Sequence, residues 1–273
     1  MILAVDIGNR TVSFGLFARA CEDAMPLTVF RMAADARRTA DEYAAMLAQI
    51  LAHRAPDAAI GGVVIGSVCP ALTPVLAEAF RLLYPAVRQL TLGAGLRTGL
   101  IIRTADPASL GADLVANAVG AASLLPPPFL LLDCGSAITL SCVEAQGESA
   151  VFLGCAILPG VTVSANALTR EAAQLFDVAL TAPRHAIGTD TAESVRAGIL
   201  MGLAAAIDGL VTRMERELGK GALPIVATGA DAALLLPFCT HRAALDENLT
   251  LKGLYRVAMC NEKLLYPAKR GEK

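Results

Sequence analysis

Tryptophan is absent from this sequence of 273 residues, and aromatic residues make up only 4% of it. Charged residues are also few, at 18%, and 23 Lys and Arg nearly balance 25 Asp and Glu. Without a basic excess, the chain lacks the electrostatic signature of a nucleic-acid-binding domain. Hydrophobic residues reach 55%, which excludes intrinsic disorder. The length predicts one large or two medium domains with a sizeable core.

Long apolar runs are missing as well. A membrane-spanning helix needs roughly 20 consecutive apolar residues, but prolines or an asparagine break the longest uncharged stretches, at residues 58–77, 115–132 and 150–169. The N-terminus reaches Asp6 after five residues, too early for the apolar segment of a secretory signal. We therefore expect a soluble, cytoplasmic protein without a membrane partner.

Several site motifs are absent too. The seven cysteines form no C-x-x-C pair, and only three histidines are present. Dispersed cysteines in apolar surroundings are typical of small buried residues in a reducing compartment, and no zinc site is predicted. No GxxxxGK[ST] run occurs and no GxGxxG opens a helix, which argues against P-loop proteins and dinucleotide-binding dehydrogenases.

Two similar segments are present instead. ILAVDIGNRTVSFGLF begins at Ile2 and FLLLDCGSAITLSCVE begins at Phe129, 127 residues later. Each has an apolar strand, an Asp-x-Gly turn and a second strand. A single such turn is a weak signal, because Asp and Gly are common turn residues. The pair, about half the chain apart, predicts two related lobes rather than a solenoid, whose period is about 20–50 residues.

Periodicity and end signals predict the other elements. Thr39 and Glu42 have the spacing of a capping box at a helix start. The remaining prolines, glycines and apolar runs define further helices and strands. The predicted helices are Thr39–Leu51, Pro70–Leu83, Gly111–Leu125, Val161–Phe176, Thr191–Leu218 with Thr191 as N-cap, and Leu249–Glu262; the predicted strands are Gly62–Val68, Phe152–Pro159 and Pro224–Ala227; the basic tail Lys269–Lys273 is expected to fray.

The two acidic turns suggest phosphate binding. Gly8 and Gly135 permit a tight turn that aims backbone N–H groups at an anion. Neutral donors accompany them at Asn9, Thr11 and Ser136. A third loop, Thr228–Ala230, follows a late strand and could face the ribose or base of a nucleotide.

The acidic residues of this pattern need another explanation. Asp6 and Asp133 would repel phosphate, so we expect them to act through a bound cation. Asp113 opens a mid-chain helix, where it could accept a proton from an alcohol that attacks a γ-phosphate. The second interpretation is a favourable negative charge at the helix N-terminus, worth about 0.3–1 kcal/mol. Spacing alone favours the second interpretation.

With these residues in view, the chain resembles type III pantothenate kinases, of the acetate kinase/actin/Hsp70-like superfamily. The matching motifs run nearly from end to end in family order. They are AVDIGNRTVSFGLF, Thr39–Tyr43, Ser67–Pro70, Gly111–Asp113, Asp133–Thr139, Gly154–Gly160, Ile187–Thr191, Ala227–Gly229 and Leu249–Leu254.

The resemblance implies an α/β fold of two ribonuclease H-like lobes, residues 1–118 and 119–273, with the nucleotide cleft between them. The helix at 249–262 could pack on either lobe. It also implies a homodimer that transfers the γ-phosphoryl of ATP to the hydroxyl of pantothenate, the first step towards coenzyme A. Magnesium and a monovalent cation, K⁺ or NH₄⁺, are implied as cofactors.

The resemblance also implies roles for individual residues. Asp113 is the expected general base, which raises this interpretation above simple helix charge. Asp133 is expected to hold the monovalent cation and Asp6 the magnesium, through water. The expected ATP-binding residues are Asp6, Gly8, Asn9, Thr11, Ser136 and Gly229, and the expected pantothenate-binding residues are Gly111, Ala112, Asp113, Leu114 and Thr191.

Three positions depart from the family pattern. Leu114 stands where the family has an Arg that helps to bind the acidic substrate, and Thr104 where it has a Tyr that lines the pocket. Arg10 stands where Thr is usual, and it could replace lost positive charge or block the loop. The sequence therefore leaves two alternatives beside a pantothenate kinase: a nucleotide-binding homologue that is regulatory or inactive, and a kinase for another small alcohol.

Overall fold

Two β-sheets divide the chain into two units in the computed structural model, which describes residues 1–21, 23–171 and 178–266. The first unit comprises Met1–Leu100, Ala105–Leu124 and the C-terminal stretch from Asn248; the second comprises Ile101–Thr104 and Leu125–Glu247. The expected boundary after residue 118 lies inside a helix that belongs entirely to the first unit. The C-terminal helix, which the sequence left open, also lies in the first unit.

The first sheet has five strands, and its elements, like all others, are numbered in chain order. The strands are β1 (Ile2–Ile7), β2 (Thr11–Phe17), β3 (Thr28–Ala33), β4 (Gly62–Ser67) and β5 (Arg88–Thr91), in the order β3-β2-β1-β4-β5. The helices of this unit are α1 (Ala40–Arg54), α2 (Thr73–Leu83), α3 (Ala112–Ala122), α7 (Leu249–Cys260) and α8 (Glu262–Leu265), with a short 3₁₀ turn at Pro107–Ser109.

The second sheet has six strands in the order β11-β10-β7-β8-β9-β6. They are β6 (Leu100–Ile102), β7 (Phe129–Cys134), β8 (Ala137–Gln146), β9 (Ser149–Pro159), β10 (Ile225–Thr228) and β11 (Ala244–Leu245). The helices are α4 (Val161–Glu171), α5 (Thr191–Glu217) and α6 (Ala232–Leu235), followed by a 3₁₀ turn at Leu236–Phe238.

The internal repeat extends well beyond the two hairpins. In each unit an antiparallel hairpin, β1–β2 or β7–β8, carries a third antiparallel strand on one side and parallel strands on the other. The order β3-β2-β1-β4-β5 thus recurs as β9-β8-β7-β10-β11. Asp6 pairs with Ser13 and Asp133 with Thr139, at equivalent places in the two hairpins. The prediction of two related units is confirmed.

Both faces of the first sheet are covered. On one face, α1 and α2 contribute Tyr43, Leu47 and Phe80 to a core in which all three side chains are fully buried. On the other face lies α7, which is close enough that a Cβ at Gly66 would lie 2.8 Å from a methyl group of Leu254. The expected capping box at Thr39 and Glu42 is present at the start of α1.

Some element ends differ from expectation. Helix α5 has Asp190, not Thr191, as its N-cap, because the Asp190 carboxylate accepts the Glu193 N–H at 2.8 Å. The expected helix Val161–Phe176 is described as far as Glu171, and its remaining residues, like the tail Lys269–Lys273, lie outside the described part of the chain. Helix α2 begins at Thr73, three residues after Pro70.

Helix α5 is the one described helix that is long and apolar enough to cross a membrane by length and composition. Core helices of globular domains pass the same test. Ile199, Leu200 and Ile207 of this helix are buried in the second unit's core. Its Asp208 accepts hydrogen bonds from the backbone N–H groups of Thr240 and His241, at 2.7 and 3.0 Å. These contacts are those of a core helix.

Candidate active site

The first Asp-x-Gly turn joins β1 to β2. The Gly8 N–H donates to the Thr11 carbonyl at 3.0 Å, which closes the turn. A Cβ at Gly8 would lie 3.0 Å from the same oxygen, so any larger residue would have to push the Thr11 carbonyl aside. Asn9 and Thr11 are exposed, whereas Asp6 is half-buried at the base of the turn. The turn therefore presents polar groups beside a recessed carboxylate.

The second Asp-x-Gly turn joins β7 to β8 and is one residue shorter. The Gly135 N–H donates to the Ala137 carbonyl at 3.0 Å, and Ser136 is half-buried. The start of α4 lies against this turn, because Gly160 donates its N–H to the Ser136 carbonyl at 3.2 Å. A Cβ at Gly160 would collide with the carbonyl oxygen of Gly135.

The loop after β10 lies against the second turn. Gly229 has φ +96°, and a Cβ there would lie 2.5 Å from Asp133 Oδ1 and from the carbonyl carbon and oxygen of Cys134. The Asp231 N–H donates to that Cys134 carbonyl at 2.9 Å. The structure thus brings Gly229 and Asp133 together at the carboxyl ends of β7 and β10, beside the turn that carries Ser136.

Asp113 lies in the first turn of α3, near the first Asp-x-Gly turn. The Val68 N–H donates to the Ile7 carbonyl at 3.0 Å, and Val68 Cγ1 lies 3.7 Å from the position of a Cβ at Gly111. The loop after β4 therefore begins beside the end of β1, and α3 begins next to that loop at the same edge of the sheet. Gly111 is the N-cap of α3 and offers no side chain to the helix.

Burial raises the pKa of the Asp113 carboxyl above its ordinary value of 3.8, although backbone N–H groups act in the opposite direction. One of them is the N–H of Leu114, which donates to Asp113 Oδ1 at 2.8 Å. A recessed carboxylate with a raised pKa is a better proton acceptor than an exposed one, because the ideal general base has a pKa near the working pH.

All three departures from the family pattern have clear positions. Leu114 is 8% exposed and forms part of the buried face of α3, which explains why an apolar side chain is tolerated there. Thr104 lies beside β6 in the second unit, and among the described residues no hydrogen-bond partner reaches its buried Oγ1. Arg10 is exposed in the first turn, and its carbonyl accepts the Ala34 N–H at 3.0 Å.

Thr191, the expected acceptor contact of the second unit, borders a cavity of about 570 Å³. The preceding loop supplies Gly188, Thr189 and Asp190 to the same cavity, with Ser194 from the first turn of α5. Among the residues that line this cavity, the sequence pointed only to those in the motif IGTDT, residues 187–191. Ser194 was missed, although its position three residues after Thr191 puts it on the same helix face.

The repeated sheet and its acidic glycine turns define a ribonuclease H-like fold of the actin-like ATPase class. The activator of 2-hydroxyisocaproyl-CoA dehydratase from Clostridium difficile, solved with bound ADPNP, matches with a TM-score of 0.53 at 13% identity, covering 96% of each chain. A ROK family glucokinase from Streptomyces griseus, solved with glucose and AMPPNP, matches with a TM-score of 0.50 at 12% identity, covering 94% of this chain and 97% of that one. At these identities the likeness concerns the fold.

Sequence similarity is much closer to one family. Residues 2–213 match the family described as type III pantothenate kinase. The type III pantothenate kinase of Moorella thermoacetica is 37% identical over 258 residues, which cover 93% of this chain and 97% of that protein. This chain belongs to the type III pantothenate kinase family, and the expected fold class and enzyme class are confirmed.

Proposed function

We propose that this protein transfers the γ-phosphoryl group of ATP to the primary hydroxyl of pantothenate, the first step of coenzyme A biosynthesis. The observation that carries the proposal is Asp113, a half-buried carboxylate with a raised pKa at the start of α3 in a chain of this family. A general base benefits from burial, because burial raises the pKa of its carboxyl. A carboxylate that only stabilises the start of a helix has no need of burial.

ATP contacts come from both Asp-x-Gly turns in this proposal. The first turn offers Gly8, Asn9 and Thr11 to the phosphates, together with Asp6 at its base. The second offers Ser136, and the adjoining loop offers Gly229. Support comes from the closed geometry of both turns, in which the glycine N–H donates across the turn, leaving polar groups exposed in the first turn and half-buried in the second.

Asp6 and Asp133 fit the cations that such a kinase uses. Carboxylate oxygens are the ligands that Mg²⁺ prefers, and one or two carboxylates with substrate phosphates and waters suffice. The lack of a cluster of three or more His, Cys, Asp or Glu among the described residues is therefore no obstacle. We assign Mg²⁺ to Asp6, through water, and K⁺ or NH₄⁺ to Asp133. When bound, Mg²⁺ neutralises phosphate charge.

The transfer itself needs one proton acceptor and correct alignment. The pantothenate hydroxyl oxygen forms a bond to the γ-phosphorus while the bond from that phosphorus to the β,γ-bridging oxygen breaks, and ADP leaves. Asp113 accepts the hydroxyl proton. Gly111 and Ala112 form the turn that presents Asp113, and a Cβ at Gly111 would displace the Asp113 carboxylate from its present position.

The acceptor pocket is where this chain departs most from its family. Thr191 and the cavity beside it offer hydroxyl groups to pantothenate, whereas Leu114 offers no charge to its carboxylate. We propose that pantothenate remains the acceptor and binds more weakly than it would with arginine at position 114. A charge-assisted hydrogen bond of this kind is worth about 1.5–3 kcal/mol.

We further propose a cytoplasmic homodimer that acts on small molecules and needs neither a nucleic acid nor a membrane. The exposed large apolar side chains of the second unit include Ile157 at 67%, Val163 at 48%, Leu168 at 40% and Ile187 at 84%. Exposed apolar patches mark interaction sites in soluble proteins. Sedimentation analysis tests this proposal, because Ile157→Glu should shift a dimer towards the monomer, and a wild-type monomer would contradict it.

The kinase proposal is tested by ADP release from the purified protein with Mg-ATP, with and without pantothenate, K⁺ and NH₄⁺. Pantothenate-dependent ADP formation that Asp113→Asn abolishes would support it. Asp41→Asn is the matched control, since Asp41 is an exposed aspartate in the first turn of another helix, α1. Turnover that survives in Asp113→Asn would refute the base, and ATP binding without turnover would favour a regulatory homologue.

A further inference from the structure

Helices α3 and α7 of the first unit are packed backbone against backbone. A Cβ at Gly253 of α7 would collide with the carbonyl of Ala116, and a Cβ at Gly120 of α3 would lie 2.6 Å from the carbonyl oxygen of Leu249. Two glycines on opposite helices thus allow an approach that no other residue permits. Such contact couples any displacement of α7 to α3.

A buried polar contact fixes the register of the two helices. The Thr250 hydroxyl of α7 donates to Asn117 Oδ1 of α3 at 2.7 Å, and Asn117 is fully buried. Asn117 follows Asp113 by four residues, which places it one turn further along the same face of α3. The contact therefore holds the turn of α3 that follows the one carrying Asp113.

Helix α7 is in turn fixed to the sheet. Leu251 packs over Gly15 of β2 and Leu254 over Gly66 of β4, each within 3.2 Å of the position a Cβ would take. Tyr255 stacks on Phe17 with ring centroids 4.7 Å apart. Because no side chain caps the start of α3, packing has to hold it in place. Helix α7 provides this packing, since it contacts both the sheet and α3.

We propose that Thr250 and Asn117 are positioning residues that hold Asp113 in the geometry required for proton transfer. The proposal rests on the proposed function, in which Asp113 is the base. Thr250 and Asn117 touch neither substrate nor the reacting atoms in this account. They act through the placement of α3, so the C-terminal helix is a part of the catalytic apparatus and not only of the core.

The test compares Thr250→Val, which keeps the shape and removes the hydroxyl, with Thr250→Ser, which keeps the hydroxyl. Thr250→Val should lower kcat by on the order of 10- to 100-fold, since a misplacement of about 1 Å costs about 100-fold. The KM for ATP should stay unchanged, and Thr250→Ser should restore kcat. Thr212→Val is the control, because among the described residues the Thr212 hydroxyl bonds only within α5, donating to the main-chain carbonyl of Asp208 at 3.0 Å.

Thermal unfolding separates positioning from stability. A lower melting temperature of Thr250→Val with unchanged kcat for the folded enzyme would overturn the proposal.

A second readout does not depend on the reaction. Carboxyl ¹³C NMR follows the titration of Asp113 in folded protein. Looser packing at the start of α3 should hydrate Asp113 and move its raised pKa back towards 3.8 in Thr250→Val but not in Thr250→Ser. An identical titration of Asp113 in wild type and Thr250→Val would overturn the positioning role, whichever acceptor the enzyme uses. Failure of the positioning proposal is therefore distinguishable from failure of the proposed pantothenate kinase activity.

Discussion

Replacing Gly229 with alanine tests how closely the loop after β10 supports the second Asp-x-Gly turn. The change combines two costs. Its φ of +96° is unfavourable for residues with a Cβ, which costs about 1–2 kcal/mol. The added Cβ would also lie 2.5 Å from Asp133 Oδ1 and from the Cys134 carbonyl, and overpacking of this kind costs about 1–3 kcal/mol.

The chain provides a matched control. Gly219, just after α5, also has a positive φ, of +62°, but no atom lies within 4 Å of the position its Cβ would take. Gly219→Ala should therefore lose only the backbone cost of about 1–2 kcal/mol. Gly229→Ala should lose about 2–5 kcal/mol, the sum of both costs. The excess isolates the contact with Asp133 and Cys134.

Urea unfolding measures the two stabilities, and calorimetric titration with a non-hydrolysable ATP analogue measures nucleotide affinity. We expect Gly229→Ala to weaken nucleotide binding, because Asp133 and the turn after it must move to admit the methyl group. Gly219→Ala should bind the analogue as wild type does. Equal stabilities of the two variants, together with wild-type affinity in Gly229→Ala, would refute the packing argument and remove Gly229 from the nucleotide site.

Three further outcomes are expected. Asp113→Asn should stabilise the fold at pH 7, because the raised pKa means that the folded state disfavours the charged carboxylate. The gain in the free energy of unfolding should shrink as the pH falls towards 3.8. A difference in urea unfolding that does not depend on pH would contradict the burial of Asp113. Leu114→Arg should lower the KM for pantothenate by roughly 10-fold to 100-fold, as a gained charge-assisted hydrogen bond implies, and an unchanged KM would point to another acceptor. Asp133→Ala should reduce activity and blunt the response to K⁺ or NH₄⁺ in steady-state assays, whereas a wild-type response would move the cation site elsewhere.

Local signals predicted much of this fold from the sequence. The capping box at Thr39 and both Asp-x-Gly hairpins involve residues close in the chain, and all are present as expected. Two adjacent residues, Asp190 and Thr191, are both good N-caps, so the sequence did not distinguish them. The sequence did not predict the edge strands β5 and β11, because they have only four and two residues and little burial.

Long-range packing was beyond the sequence. The helix at Leu249–Cys260 has a clear apolar periodicity, but nothing local decides which sheet it covers. The close contacts of Gly253 with Ala116 and of Gly66 with Leu254 decide it, and they join residues far apart in the chain. The same holds for Asp113, whose spacing suggested helix charge and whose burial is visible only in the folded protein.

The most direct test of the account is to identify the product. Purified protein is incubated with Mg-ATP, K⁺ and pantothenate, and the mixture is analysed by ³¹P NMR and mass spectrometry. We expect one phosphomonoester on the primary hydroxyl of pantothenate for each ADP formed, and none with Asp113→Asn. ADP accompanied only by inorganic phosphate, or a phosphorylated product that forms equally well with Asp113→Asn, would contradict it.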